Sequence, residues 1–293
     1  MTSTTHRRAF LRNGLLAASS LCGAKAAPGA ETGGLFSTMG ISGGIGKAAF
    51  LKEQGAAFLT AGTNDLLCPD QPEEVFAKKL TQALAAPLPV LACNGFIRPA
   101  HLRCVGPQAN HDEVLAWADT ALSRLKRVNG TFMVFGSGGA RRIPDGWARE
   151  KAEEQFVALL KRMGPLAEKH GVIVVVEQLQ ASECNFINRI AHAASLIRGA
   201  NHPHIRLLAD LYHMARMGDT PEDLKNAMDV VVHMEIAEKE ERTYPGIKGD
   251  DFRPFFRVLK ASAYRGAISI EGKGDDSQIA PAFREIEKQS AGI

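Results

Sequence analysis

Five cysteines occur in the 293 residues, at 22, 68, 93, 104 and 184, and no two form a C-x-x-C pair. That absence removes zinc ribbons and thioredoxin-like redox motifs. No apolar run approaches the ~18 to 20 residues that span a bilayer, and aromatic residues make up only 6% of the chain. There is no dense Lys/Arg block interleaved with aromatics, so the small formal charge of +3 is no argument for nucleic acid binding. What remains is 45% hydrophobic and 23% charged residues with a mean hydropathy of -0.10, the balance of a soluble globular chain.

The charge is unevenly placed. Residues 1–26 read as a basic region containing Arg7, Arg8 and Arg12, a mildly apolar stretch, and Ala24-Lys25-Ala26 as an A-x-A cleavage site. Paired arginines followed by Ala-Phe-Leu resemble a twin-arginine export signal, which is an address and not an anchor. The expectation is a periplasmic protein with a signal at 1–26, no membrane anchor after cleavage, and the twin-arginine machinery as a partner. That segment holds four basic residues and no acid, which leaves 31 basic against 32 acidic residues. Four cysteines also remain, and a chain of this size is expected to keep them free and buried.

The rest alternates short apolar runs with longer amphipathic ones. Candidate strands are 35–41, 57–61, 90–93, 131–135, 172–177, 205–210, 230–236 and 267–271. Helical patterns include 112–127, 148–170, 186–198 and 254–262, and Thr220-Pro221 with Asp223 reads as a helix start. Eight strands alternating with helices over residues 27–293 is the arithmetic of a single-domain (β/α)8 barrel, with a doubly wound sheet as competitor. The glycine-rich stretch from Gly40 to Ala48 lacks two positions of a phosphate loop and reads as the loop after the first strand. Gly136 to Gly139 with Arg141 and Arg142 reads either as a substrate contact or as a glycine-rich turn.

Chemistry gathers at the ends of the last four strands. Each run holds an acid at or near its end: Glu177, Asp210, Glu235 and Glu271. Alternation along the seventh strand groups Val232, Met234 and Ile236 on one face, leaving His233 and Glu235 together on the other. Carboxylates at the carboxyl ends of adjacent barrel strands converge where such barrels keep their active sites. They cannot all ionise in a confined space without a countercharge, which points to a divalent cation.

These stretches resemble the xylose isomerase-like barrels, in particular the sugar phosphate isomerase/epimerase group of tagatose 3-epimerases and hydroxypyruvate isomerases. The resemblance rests on Glu177-Gln-Leu-Gln-Ala-Ser-Glu183, Asp210-Leu-Tyr-His213-Met, His233-Met-Glu235-Ile-Ala-Glu238 with Arg242-Thr-Tyr-Pro-Gly246, and Ile270-Glu271-Gly. It implies that Glu177, Asp210 and Glu271 bind a metal, and that Glu183, His213 and Arg242 touch a substrate's hydroxyls or carbonyl. The family's third ligand is His in epimerases and Gln in hydroxypyruvate isomerases, whereas that position here is Glu235, with His233 as the fallback ligand. An all-oxygen set favours Mn2+ or Mg2+ over Zn2+. The implied reaction removes the proton next to a keto sugar's carbonyl through a metal-stabilised enediolate, with Glu177 and Glu271 as base and acid. The same start serves a lyase acting on keto-glycosides, and a catalytically weak sugar-binding barrel is the alternative outside catalysis. A nuclease is disfavoured because the late Asp-x-His ligand pair is missing. A small carbohydrate is the expected partner, nucleic acid is not, and a homo-oligomer is an option.

Overall fold

Runs rich in Val, Ile and Leu supply eight short strands: β1 (Met39–Ser42), β2 (Phe58–Gly62), β3 (Val90–Asn94), β4 (Phe132–Phe135), β5 (Ile173–Glu177), β6 (Ile205–Asp210), β7 (Val231–Ile236) and β8 (Ile268–Ile270). They pair in parallel and in chain order, and β8 closes on β1 to complete a (β/α)8 barrel. The computed structural model describes residues 34–293, and the export segment expected at 1–26 lies outside them. Among the described residues no helix is long and apolar enough to cross a membrane.

The helices form an outer layer whose apolar stripes face the strands. Arg149–His170, the longest, buries Phe156, Leu159, Leu160 and Met163 and ends at Gly171 with φ 64. The start at Thr220 is built as its residues suggest. Thr220 Oγ1 accepts the Asp223 N–H at 3.2 Å, the Asp223 carboxylate accepts the Thr220 N–H at 2.8 Å, and Pro221 opens the helix. Cys68, Cys93, Cys104 and Cys184 are free and buried. Burial pushes the Cys93 and Cys104 thiols upward, so both pack as neutral groups.

Three expectations need correction. The apolar run 35–41 is not one strand. Leu35 and Phe36 are buried in the main core ahead of β1, with the Phe36 ring edge-on to Phe256 of the helix Arg253–Ala261 at 5.3 Å and to Tyr264 at 6.4 Å. The helix expected over 186–198 runs from Ile190 to Ala200. Phe186 and Ile187 are buried in a loop, with Ile187 at φ 62 and the Asn188 side chain donating to the Leu179 and Cys184 carbonyls. Apolar residues of a buried loop imitate helical spacing.

The third correction is Val232. Leu207 pairs with Val231 but Leu208 pairs with His233, so Val232 is an extra residue on β7. It packs on the interior cluster of Ala92, Val134, Val175 and Leu208 and does not share a face with Met234 and Ile236. The bulge leaves His233 and Glu235 pointing inward. His233 sits low in the barrel, stacked on Phe132 with ring centroids 5.0 Å apart. The interior thus changes along its axis. An apolar plug gives way to the Thr60–Ser269 hydroxyl pair at 3.0 Å and then to the acids at the carboxyl ends.

Candidate metal centre

Glu177 ends β5, Asp210 ends β6, Glu235 lies one residue before the end of β7, and Glu271 follows β8. Asp210 pairs directly with Glu235, and the Glu271 N–H still donates to the Ile236 carbonyl at 3.1 Å, so the sheet itself sets their spacing. One oxygen from each of the four carboxylates can be chosen so that all lie within 4.8 Å of one another. A second grouping within the same limit joins Glu177 and Asp210 to His213.

Each acid is held by different means. Asp210 caps the helix Leu211–Met217, its Oδ1 accepting the Tyr212 N–H at 2.7 Å, which leaves Oδ2 for the cavity. The Glu271 carboxylate accepts from Asn94 Nδ2 at 2.7 Å and from Arg242 Nη2 at 2.5 Å. Glu177 lies 3.3 Å from His213 Nε2 through Oε1. Glu235 is fully buried, and neither of its oxygens has a hydrogen-bond partner. Burial, followed by the charges of Glu271, Glu177 and Asp210, pushes its pKa well above the carboxylate range. Burial and Glu177 raise Glu271 as well.

Arg242 brings a guanidinium directly onto the acids. Arg242 Nη2 reaches Asp210 Oδ2 at 3.1 Å as well as Glu271, and its guanidinium carbon stands 4.8 Å over the Tyr212 ring. Burial opposes its charge, but Asp210 and Glu271 outweigh that and raise its pKa. The loop that carries it bends sharply, with Glu241 and Arg242 both in the left-handed region at φ 58 and 57. Glu238 holds the bend. Its buried carboxylate accepts N–H groups from Gly246, Lys248 and Gly249 at 2.6 to 2.9 Å and the Thr243 hydroxyl at 2.8 Å.

The remaining candidates separate cleanly. Glu183 and His213 join the cluster at its rim, with His213 Nε2 4.0 Å from Glu183 Oε2. The Gln180 N–H donates to His213 Nδ1 at 3.1 Å, which aims Nε2 at the site. Burial disfavours a charged His213, but Asp210 and Glu177 outweigh it and raise its pKa. The fallback ligand His233 is not brought to the site. Both its nitrogens are buried without partners, and burial lowers its pKa to about 3. Stacked against Phe132, it is a neutral part of the plug.

Three supporting side chains had no role assigned from the sequence. Asn94 fixes Glu271, Gln180 bonds Glu183 and Tyr212, and Glu238 ties the loop that bears Arg242. Fully buried Arg141 donates to the Phe135 and Glu177 carbonyls at 2.9 and 2.6 Å, so it braces strand ends instead of meeting substrate. Gly136, by contrast, does line the cavity, and it is a glycine for a steric reason. A Cβ there would sit 2.3 Å from Glu177 Oε2. Gly136→Ala is therefore expected to push the Glu177 carboxylate aside and to weaken any divalent-cation binding at the cluster about 10- to 100-fold. Isothermal titration checks this, and unchanged affinity would show that Glu177 does not depend on the space beside Gly136.

Glu177 and Glu271 of the cluster, with Glu183, His213 and Arg242, line a cavity of about 340 Å3 at the carboxyl face, walled further by Asn64, Asn94 and Gly136 to Gly138. Its chemistry is that of a cation cradle beside a polar pocket of monosaccharide size.

Comparison with known proteins agrees with this fold. A family model described as xylose isomerase-like TIM barrel matches residues 50–290. The 3-dehydro-D-guloside 4-epimerase of Escherichia coli (strain K12) is 29% identical over 127 residues, which is 43% of this chain and 48% of that protein. The chain spans about half the length of the curated relatives it matches. Among solved structures, apo 3-keto-D-glucoside 4-epimerase from E. coli superposes with a TM-score of 0.72 at 20% identity, covering 86% of this chain and 99% of that one. The IolI protein, crystallised with a binding zinc atom, gives 0.66 at 16% identity, covering 87% and 97%. At these identities the structural likeness is one of fold.

Proposed function

The chain belongs to the xylose isomerase-like TIM barrel family, and we propose that it is a divalent-metal-dependent isomerase or epimerase of small keto sugars that works by removing the proton next to a carbonyl. One observation carries the reading. Four carboxylates meet within 4.8 Å, and both oxygens of buried Glu235 lack any partner. Arg242 and His213 together do not match four acids, and a buried unpartnered carboxylate is costly unless a cation completes it.

Glu177, Asp210, Glu235 and Glu271 would hold the ion. Their oxygen-only set suits Mn2+ or Mg2+. The relatives support the substrate class, since an epimerase of a keto sugar derivative is among them, and the zinc-bearing IolI supports a divalent metal. When bound by these four residues, such an ion would supply a Lewis acid for a carbonyl next to the proton to be removed.

The chain's own residues do the rest. Glu177, hydrogen-bond close to His213, serves as proton carrier on one side, and Glu271, oriented by Asn94 and Arg242, on the other. His213 and Arg242 present donors to the sugar's oxygens, and Glu183 accepts a hydroxyl at the rim. Return of the proton to the opposite face gives an epimer, and return to the neighbouring carbon gives an aldose.

The test is deuterium exchange in D2O followed by proton NMR. The Mn2+-loaded full chain is expected to exchange the α proton of at least one keto sugar in a panel, and EDTA treatment is expected to stop it. Bound Mn2+ with no exchange on any member would refute the reading.

A further inference from the structure

Behind the carboxylate cluster lies a charged group that the proposed mechanism does not use. Arg141 is fully buried, and a buried guanidinium is costly unless strong acceptors meet it. Its Nη1 and Nη2 donate to the Phe135 and Glu177 carbonyls at 2.9 and 2.6 Å, and its Nε has no hydrogen-bond partner. Burial disfavours its charge, while Cys184 and Glu177 favour it.

The place of those two carbonyls gives the guanidinium its use. The paired register of β4 and β5 ends with Phe135 opposite Val176, so Glu177 projects one residue beyond the ladder. Past that point pairing with β4 does not fix it. The donors of a single planar fork take over there, reaching the last residue of each strand. The Glu177 main chain is thereby held at a set spacing from Phe135, which Gly136 follows directly. That spacing matters because Glu177 Oε2 occupies the room that the missing Cβ of Gly136 leaves.

The turn that delivers the guanidinium is itself fastened. Ser137 sits in the left-handed region at φ 35, and the short turn Gly138–Arg141 brings its last side chain back to the strand it left. Ser137 Oγ accepts the Ile97 N–H at 2.9 Å, the Ala140 carbonyl accepts the Cys104 N–H at 2.8 Å, and the Gly138 carbonyl accepts the Cys184 thiol at 3.3 Å. Contacts from separate segments thus hold this turn in place.

Resting on the proposed function, in which Glu177 is ligand and proton carrier, we infer that Arg141 is a positioning residue for it. By clasping the ends of β4 and β5, Arg141 keeps the Glu177 carboxylate beside Gly136 and turned toward the other acids of the cluster. It acts through Glu177 and does not line the cavity where a sugar would lie.

A double-mutant cycle on Mn2+ affinity tests the clasp. Arg141→Lys keeps the charge but not the planar fork. Isothermal titration of the full chain is expected to show Mn2+ binding weakened about tenfold, the lower end for loss of a group that orients a ligand. In a Glu177→Gln background the same change is expected to shift affinity less than about twofold, because the carboxylate it orients is gone. Unchanged affinity in the native background, or an equal loss in both backgrounds, overturns the assignment. Arg141→Gln enters the same cycle, so if one variant fails to fold the other decides. Failure of both to fold, read by circular dichroism, overturns it too, since Arg141 then serves the fold.

Deuterium exchange at saturating Mn2+ gives a second reading. For Arg141→Lys, kcat is expected to fall ~10- to 100-fold with KM within about threefold, because a displaced reacting group lowers turnover while Glu183, His213 and Arg242 stay in place. A raised KM with unchanged kcat contradicts the clasp. Coupling in Mn2+ affinity without exchange by the native chain sinks the catalytic reading alone, and native exchange without coupling sinks the clasp alone.

Discussion

Glu177→Gln is expected to leave the barrel folded and to lower α-proton exchange about 10^2- to 10^4-fold, the span associated with loss of a positioned general base. The substitution keeps the shape of the side chain. The Glu177 carbonyl still receives Arg141, and the amide fits the space that Gly136 leaves for Oε2. What disappears is a carboxylate able to take a proton 3.3 Å from His213. Because Glu177 is also a candidate ligand, exchange is to be measured at saturating Mn2+ with the Mn2+ affinity determined in parallel. A fall of less than tenfold at full occupancy would remove Glu177 from the role of base.

Glu235→Leu is the second large effect, and its sign depends on the metal. Without a cation, both Glu235 oxygens are buried without partners, and Asp210 is its neighbour on the adjoining strand. Burial keeps this carboxyl protonated without a metal, and replacing such a buried, unpartnered polar group with an apolar side chain of similar volume is expected to stabilise by about 1 to 3 kcal/mol. At ~2 to 4 °C per kcal/mol for a domain of this size, the metal-free variant is expected to melt several degrees above the metal-free native chain. Added Mn2+ reverses the comparison. The native chain gains stability as RT ln(1 + [L]/Kd), about 2.7 kcal/mol at a hundredfold excess over Kd, whereas the variant has lost a ligand and gains little. Thermal melts of both proteins with EDTA and with Mn2+ check all four values. A metal-free variant that melts below the native chain would mean that Glu235 stabilises the barrel by itself, contrary to a cation cradle.

The fold was legible to an unusual depth because period and spacing are local properties. The strands ending in Glu177, Asp210 and Ile236 stand within one residue of their expected limits at both ends, since β-branched runs and terminal acids are written in consecutive residues. Errors arose where burial was not due to a regular element. Leu35 and Phe36 are apolar because they pack in the core against Phe256 and Tyr264, and Phe186 and Ile187 because they belong to a buried loop. Neither feature has a period to read. The bulge at Val232 was likewise invisible, because the extra residue exists only relative to Leu207 and Leu208 on the neighbouring strand.

The same division runs through the site. The sequence by itself determined the residue types and their order, four acids at or near the ends of four successive strands, and parallel pairing in chain order makes such residues neighbours whatever the details. The tertiary structure decided which inward residue is chemical and which is packing. Two residues apart on one strand, Glu235 meets three other carboxylates while His233 meets Phe132, because depth along the barrel axis changes the surroundings from carboxylates to apolar rings. It also decided the supports. Asn94 reaches Glu271 across 177 positions, and Gly136 leaves room for the carboxylate of Glu177. Contacts between residues so far apart depend on closure of the sheet, and no local spacing in the chain encodes them.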